Sequence, residues 1–404
     1  MEKWLSVVGL GEDGLAGLSP AGRSLFDQAE ILVGGRRHLD LVADHRQQIA
    51  WATPITETIA QILEYRGRAV CVLASGDPLW YGIATTLLNF VPIAEMTIVP
   101  NQSAFSLACS RLGWPLTEVE TLSLCGRPLA TLGSYLSAGA KIILLSADTQ
   151  TPAQVAGLLV EQGFGASEMI ILEHLGGPQE RCLRAIAQDW SDQVVASLHT
   201  IAIQCRGGRG YSRLAGLPDS AYRHDGQLTK REIRAITLAS LAPQPGQLLW
   251  DVGAGCGSIA IEWCRSHPRC LAIAIEQDPD RLGYIAANAT ALGVPRIKII
   301  SGLAPAALAG LTPPDAIFIG GGLTEPGMFA ACWAALTPGG RLVANAVTIA
   351  SEQILLQLQQ QWGGELTRVA IQRAEPIGKF LGWKAGSPIT QWSVTKTSGS
   401  SGSI

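Results

Sequence analysis

The chain has 404 residues, 47% of them apolar, 16% charged and 45 of them glycine, a length that predicts two or three domains and a profile that excludes a disordered or coiled-coil chain. A net charge of −3 without a long run of Lys or Arg argues against a nucleic-acid partner, and no apolar run reaches the ~20 residues of a membrane span. Nine cysteines without a CxxC pair, and a start of Met1, Glu2 and Lys3 before a glycine-punctuated strand, point to a reduced, cytoplasmic chain without a signal peptide.

In chain order, short apolar runs alternate with helical patterns, as a parallel α/β sheet requires. Strands are predicted over 5–9, 69–74, 96–99, 141–145, 169–172 and 200–205, and helices over 21–29, 56–65, 103–112 and 153–161. The first strand ends in Val7-Val8-Gly9-Leu10-Gly11-Glu12-Asp13-Gly14, formally a Gly-x-Gly-x-x-Gly. A dinucleotide site also needs a helix directly after the loop and an acidic end to the next strand. Here the helix waits until about Ser19-Pro20, and the strand 31–33 runs into Gly34-Gly35, so NAD binding is rejected.

Two further loops follow strand ends, where α/β sheets place ligands. They are Ser75-Gly76-Asp77-Pro78-Leu79 and Pro100-Asn101-Gln102-Ser103-Ala104. Gly76-Asp77-Pro78 alone reads better as a simple turn.

From 206 to 226 the periodicity is lost, and 206–222 reads as a linker. A helix over 229–241 opens a second α/β pattern, with strands over 248–252, 271–275, 297–300, 316–319 and 342–344. Two late runs, 365–373 and 389–395, suit an antiparallel pair, and the Ser/Gly-rich residues 397–404 read as a disordered tail. The second pattern holds the clearest chemical signal. Strand 248–252 enters Gly253-Ala254-Gly255-Cys256-Gly257-Ser258, a helix follows from about Ile259, and the next strand ends in Glu276. Such a loop lays a ligand against bare backbone at a helix N-terminus, and a carboxylate at position 276 can accept ribose hydroxyls. Asp251 can instead tie the loop by hydrogen bonds.

Asp251-Val252-Gly253-Ala254-Gly255-Cys256-Gly257 with an acidic strand end resembles the seven-stranded, Rossmann-like class I methyltransferases. Gln227-Leu228-Thr229-Lys230-Arg231-Glu232 and Asp315-Ala316-Ile317-Phe318-Ile319-Gly320-Gly321-Gly322 narrow the likeness to precorrin decarboxylating methyltransferases, over about 223–394. This resemblance implies that Thr229, Gly253, Ala254, Gly255, Cys256, Gly257, Glu276 and Ala304 contact S-adenosyl-L-methionine. Leu303 stands where that family usually carries an aspartate. The three loops of the first half resemble the tetrapyrrole (corrin and porphyrin) methylases over roughly 3–205. That likeness implies a second S-adenosyl-L-methionine pocket lined by Gly76, Asp77 and Leu79, beside Ser103 and Ala104. Gly11 belongs with them, its neighbours bordering the substrate trough, and Glu12 replaces the family's usual proline.

The pairing resembles bifunctional decarboxylating precorrin methyltransferases of cobalamin biosynthesis. It implies a tetrapyrrole methylase domain over 1–205 and a class I domain over 223–396, each with one S-adenosyl-L-methionine site. One half would methylate one meso carbon; the other would methylate a second and remove CO2 from an acetate side chain, the two carbons being C5 and C15. The partner expected is a small-molecule tetrapyrrole, with no nucleic acid, no membrane, no metal and a homo-oligomeric state. Arg36, Arg37, Arg127, Arg206, Arg209, Arg213 and Arg223 are candidates for its carboxylates. No acid or base is nominated: Asp13, Asp77, His224 and Glu325 read as surface or structural. A class I RNA or protein methyltransferase with a binding domain, and a non-catalytic tetrapyrrole carrier, are the alternatives.

Overall fold

The apolar runs of the first half become strands with no solvent face, as a parallel sheet covered by helices demands. The structure, a computed structural model, describes residues 3–191 and 193–397. The chain divides into two units, Met1–Leu129 with Ser137–Arg209, and Ala130–Leu136 with Gly210–Ile404. In the first, β1 (Leu5–Leu10), β2 (Ile31–Gly34), β3 (Gln47–Ala50), β4 (Val70–Ser75) and β5 (Met96–Val99) form a parallel sheet in the order β3-β2-β4-β1-β5. Helices α1 (Pro20–Gln28), α2 (Arg36–Val42), α3 (Ile55–Glu64) and α4 (Ile83–Leu87) connect its strands, and α5 (Ala104–Leu112) leads away from it. Ser19 caps α1, its Oγ accepting from Gly22 N–H at 3.1 Å, with Pro20 in the first turn.

A second sheet of the same unit holds β6 (Val119–Ser123), β7 (Lys141–Leu145), β8 (Glu168–Glu173), β9 (Arg181–Ile186) and β10 (His199–Gln204), with α6 (Thr151–Glu161) between β7 and β8. Its order is β6-β7-β10-β8-β9, parallel only between β6 and β7. The strands absent from the sequence prediction, β3, β6 and β9, are all edges. β3 buries only Ile49 and β9 no residue fully, so neither shows an apolar run.

The second unit runs α7 (Arg231–Leu241), β11 (Leu248–Val252), α8 (Ser258–Ser266), β12 (Leu271–Glu276), α9 (Pro279–Ala291), β13 (Lys298–Ser301), β14 (Ala316–Ile319), α10 (Met328–Ala335), β15 (Arg341–Ala346), α11 (Ile349–Trp362) and β16 (Glu365–Val369). A hairpin of β17 (Gln372–Ile377) and β18 (Phe380–Ala385) precedes β19 (Ile389–Thr395). The seven-stranded order is β13-β12-β11-β14-β15-β19-β16, with β19 antiparallel to both neighbours. Alternate residues point to opposite faces. Leu249, Ala274 and Phe318 pack in one core, and Trp250, Val252, Ile275 and Ile319 in the other.

The late antiparallel pair of the sequence reading is β16 with β19; the hairpin between them has no predicted counterpart. The stretch read as a linker also differs. Leu217 and Tyr222 lie in the core of the second unit, 2% and 5% exposed. Glu262 on α8 accepts from Gly216 N–H (2.6 Å), Leu217 N–H (3.0 Å), Tyr222 Oη (2.9 Å) and Arg234 Nε (2.5 Å). A fully buried ion pair thus anchors residues 216–222. The expected tail lies, apart from Thr397, outside the described residues.

Candidate functional site

In the second unit, β11 delivers its backbone into the glycine turn and α8 begins at Ser258. The turn opens on a cavity of about 840 Å³ lined by Thr229, Gly253, Ala254, Gly255, Cys256, Glu276 and Ala304 among others. These seven predicted positions come together from four separate segments. Gly257 does not join them: it is the residue preceding α8, and a Cβ there would meet the Ile285 side chain at 3.0 Å. At Gly255 the lack of a side chain leaves open space in the cavity. Its φ is +58°, and a Cβ would meet nothing nearer than Gln227 O at 3.7 Å. The space beside it is free for a bound molecule.

Glu276, 6% exposed, holds this turn in shape. Its Oε2 accepts from Gly255 N–H at 2.8 Å, and its Oε1 accepts from Gln277 N–H (2.9 Å) and Asp278 N–H (3.0 Å). A carboxylate offers about four acceptor positions, so about one is left for a ligand hydroxyl. Asp251 is structural in the way the sequence allowed. It is 1% exposed, and its Oδ2 accepts from Ala260 N–H at 3.0 Å while its Oδ1 has no partner. Burial, with the nearby charge of Glu276, pushes its carboxyl up to about 7. Burial likewise raises the Cys256 thiol to about 11, so it stays a neutral thiol in the wall. Leu303 and Glu325 also line the cavity, and Arg373 and Lys384 reach it already paired with Glu232 and Glu375.

In the first unit the loops after β1, β4 and β5 meet backbone to backbone. Gly76 N–H donates to Leu10 O at 3.1 Å, and Asn101 N–H donates to Gly76 O at 3.1 Å. Gly76 has φ +53°, and a Cβ on it would lie 2.8 Å from Gln102 O. Here a side chain would collide with the backbone of the loop after β5. Asp77 Oδ1 accepts from Leu79 N–H at 2.9 Å and shapes the turn, leaving Leu79 48% exposed. Ser103 is buried and caps α5, its Oγ accepting from Ser106 N–H at 3.1 Å; Ala104 is the first residue of that helix. Gly11 adjoins Asp13, whose Oδ1 would lie 2.6 Å from a Cβ there.

One cluster at this end was missed in the sequence. Arg37 Nη1 donates to Glu12 Oε1, and the other Glu12 oxygen bonds His174 Nδ1 at 2.9 Å. Arg37 Nη2 also reaches Ser75 Oγ at 3.0 Å, and His38 Nε2 lies 3.0 Å from the same hydroxyl. Arg37, offered above for substrate carboxylates, is therefore committed to Glu12. Arg127 lies 4.9 Å from the Tyr81 ring and Arg213 4.8 Å from that of Tyr135. Among the described residues no group of three or more His, Cys, Asp or Glu is placed to hold a metal ion, and no helix is long and apolar enough to cross a membrane.

A seven-stranded sheet with a reversed β19 and a glycine-turn cavity, in one chain with a second α/β unit whose ligand end carries a Gly-Asp-Pro turn, defines a methyltransferase of two unlike domains. Residues 5–189 match the family model of the tetrapyrrole (corrin/porphyrin) methylases, and residues 220–396 that of the precorrin methyltransferase domain. The chain is 46% identical to the precorrin-6Y C(5,15)-methyltransferase [decarboxylating] of Sinorhizobium sp., over 97% of this chain and 96% of that one. It is 43% identical to the protein of the same name from Mycobacterium tuberculosis, over 96% and 99%. The chain belongs to the precorrin-6Y C(5,15)-methyltransferase (decarboxylating) family. The solved C-terminal domain of the Rhodobacter capsulatus protein is 48% identical, covering 46% of this chain and 100% of that one at a TM-score of 0.44.

Proposed function

We propose that the chain performs both methylations and the decarboxylation for which its family is named, at C5, C15 and an acetate side chain of a precorrin in cobalamin biosynthesis, with one S-adenosyl-L-methionine site in each unit. The observation that carries this reading is the cavity walled by Thr229, Gly255 and Glu276, which has the size and backbone lining a nucleoside needs. In it Gly253, Ala254, Gly255, Cys256 and Ala304 supply backbone and small-residue contacts, with Gly257 holding the turn from behind. In the first unit Gly76, Asp77, Ser103 and Ala104 would shape a second pocket, bordered by the exposed Leu79 and the half-buried Gly11 loop.

S-adenosyl-L-methionine supplies an electrophilic methyl group when bound. The protein's task is to align the enamine-like meso carbon with that methyl and exclude water, an effect that can lower a barrier by about 7–11 kcal/mol. Decarboxylation sends its electron pair into the conjugated pyrrole system of the substrate. The reading further places the chain in the cytoplasm, with domains over 1–205 and 223–396, residues 216–222 of the 206–222 stretch between them packing into the second, and with neither nucleic acid nor membrane as partner. A homo-oligomer is proposed on the β17–β18 hairpin, where Phe380 is 80% and Trp383 74% exposed. Light scattering of Phe380→Ser/Trp383→Ser should then show a smaller species than the unchanged chain.

Titration calorimetry with S-adenosyl-L-methionine should give two sites per chain, and mass spectrometry of the product two added methyl groups with loss of one CO2. A single site, or methylation without decarboxylation, would contradict the reading.

A further inference from the structure

The Glu12 cluster holds two histidines in different surroundings. His38 is 9% exposed, its Nε2 faces Arg37 and Ser75, and burial with the adjacent Arg37 charge drives its ring down to about 4, so it stays neutral and enclosed. His174 differs. Its side chain is 24% exposed, and among the described residues only its Nδ1 is engaged, by Glu12 Oε2. Arg37 grips the other Glu12 oxygen, and these two partners hold the Glu12 carboxyl below its ordinary range although burial opposes them. An ionised carboxylate can only accept, so Nδ1 carries the proton, and in the neutral ring this tautomer leaves the lone pair on Nε2.

The placement is built rather than incidental. Glu12 follows β1 of the first sheet and His174 follows β8 of the second, so the pair joins the two sheets of this unit beside the Gly11 loop. His174 sits at φ +47°, a left-handed conformation that a side chain other than glycine adopts at a cost. A Cβ on Gly177 would lie 2.6 Å from Glu12 Cβ, so the turn after His174 presses directly on the carboxylate's stem. The same turn is pinned by Glu180, which accepts from Gly176 N–H at 2.7 Å and pairs with Arg111 at 2.5 Å.

We propose that His174, oriented by Glu12, is the general base of the N-terminal unit and takes the proton that leaves the meso carbon as that carbon is methylated. The proposal rests on the reading that this unit methylates a meso carbon. The carbon's π electrons form the new C–CH3 bond as the S–CH3 bond breaks, its pair staying on sulfur. The C–H proton passes to His174 Nε2, and the C–H electron pair restores the conjugated system. Glu12 is the positioning residue: it fixes the tautomer and stabilises the imidazolium that forms, while Arg37 keeps it ionised.

The test uses the full-length chain as unchanged protein, His174→Asn, His174→Ala and Glu12→Gln. His174→Asn should lower kcat for the N-terminal methylation by about 10²–10⁴-fold, with KM and S-adenosyl-L-methionine affinity changed less than about threefold. Imidazole should restore part of the rate of His174→Ala. Long-range ¹⁵N spectra of histidine-labelled protein, assigned by the signal lost in His174→Asn, should show the Nδ1-protonated tautomer, shifting to a mixture in Glu12→Gln. Undiminished methylation by His174→Asn would overturn the base, as would a loss of rate matched by lost cofactor affinity without imidazole rescue, the mark of a structural latch. An unchanged chain that binds no cofactor in this unit and methylates nothing there would overturn the underlying reading instead.

Discussion

Glu276 and Asp251 lie close together under one glycine turn and have different hydrogen-bond partners, because their surroundings differ. Glu276 has three backbone N–H partners and stays an acceptor at the cavity wall. Replacing it by alanine removes both the tie to Gly255 and any bond to a ligand hydroxyl. Hydrogen bonds to charged groups contribute about 1.5–3 kcal/mol, so Glu276→Ala should weaken cofactor binding at the second site by tenfold or more in calorimetry. Unchanged affinity would remove Glu276 from the site. Asp251 has one partner and an orphaned oxygen, and its carboxyl is held at about 7 against an ordinary 3.8. A raised value means the folded state keeps the proton longer, so the associated stability is whole below 3.8 and drains away as pH rises through about 7. Asp251→Asn lacks this titration. Its melting temperature should gain on that of the unchanged chain between pH 4 and pH 7; parallel curves would show that Asp251 does not titrate there.

The Gly76 and Gly255 turns differ as elements. At Gly76 the neighbour is the backbone of the β5–α5 loop, so Gly76→Val should break the junction of three strand ends and destabilise the first unit. At Gly255 a valine meets open space and the strain of a left-handed residue, roughly 1–2 kcal/mol, which the fold should tolerate. Melting curves of the two variants distinguish these outcomes. The Arg234–Glu262 pair is another contact between elements: removing one partner of a buried pair costs about 3–5 kcal/mol, so Glu262→Ala should lower the denaturation midpoint of the second unit and expose residues 216–222 to proteolysis. An unshifted midpoint would refute the anchoring role. What was legible in the sequence follows the same physics. Strands buried on both faces, and a turn whose site residues are contiguous from 253 to 256, leave local signatures. Edge strands such as β3 and β9 carry too few buried residues to show a period. Glu12 and His174 are 162 positions apart, and no local pattern joins them. Nor does any local pattern announce that Glu262 holds a stretch whose glycines and proline read as a linker.

For the whole molecule, the central claim is that two unlike units hold separate cofactor sites with separate chemistries. Relatives of the same name align over nearly the entire chain, while the two family models meet different halves of it. The Gly255→Val chain tests the claim most directly, because Gly255 faces open cavity and its replacement should fill the second site without unfolding the unit. With circular dichroism confirming the fold, calorimetry should find one cofactor site in place of two. Mass spectrometry of the product should show one added methyl group and no loss of CO2. A folded Gly255→Val chain that still delivers the doubly methylated, decarboxylated product would contradict the account.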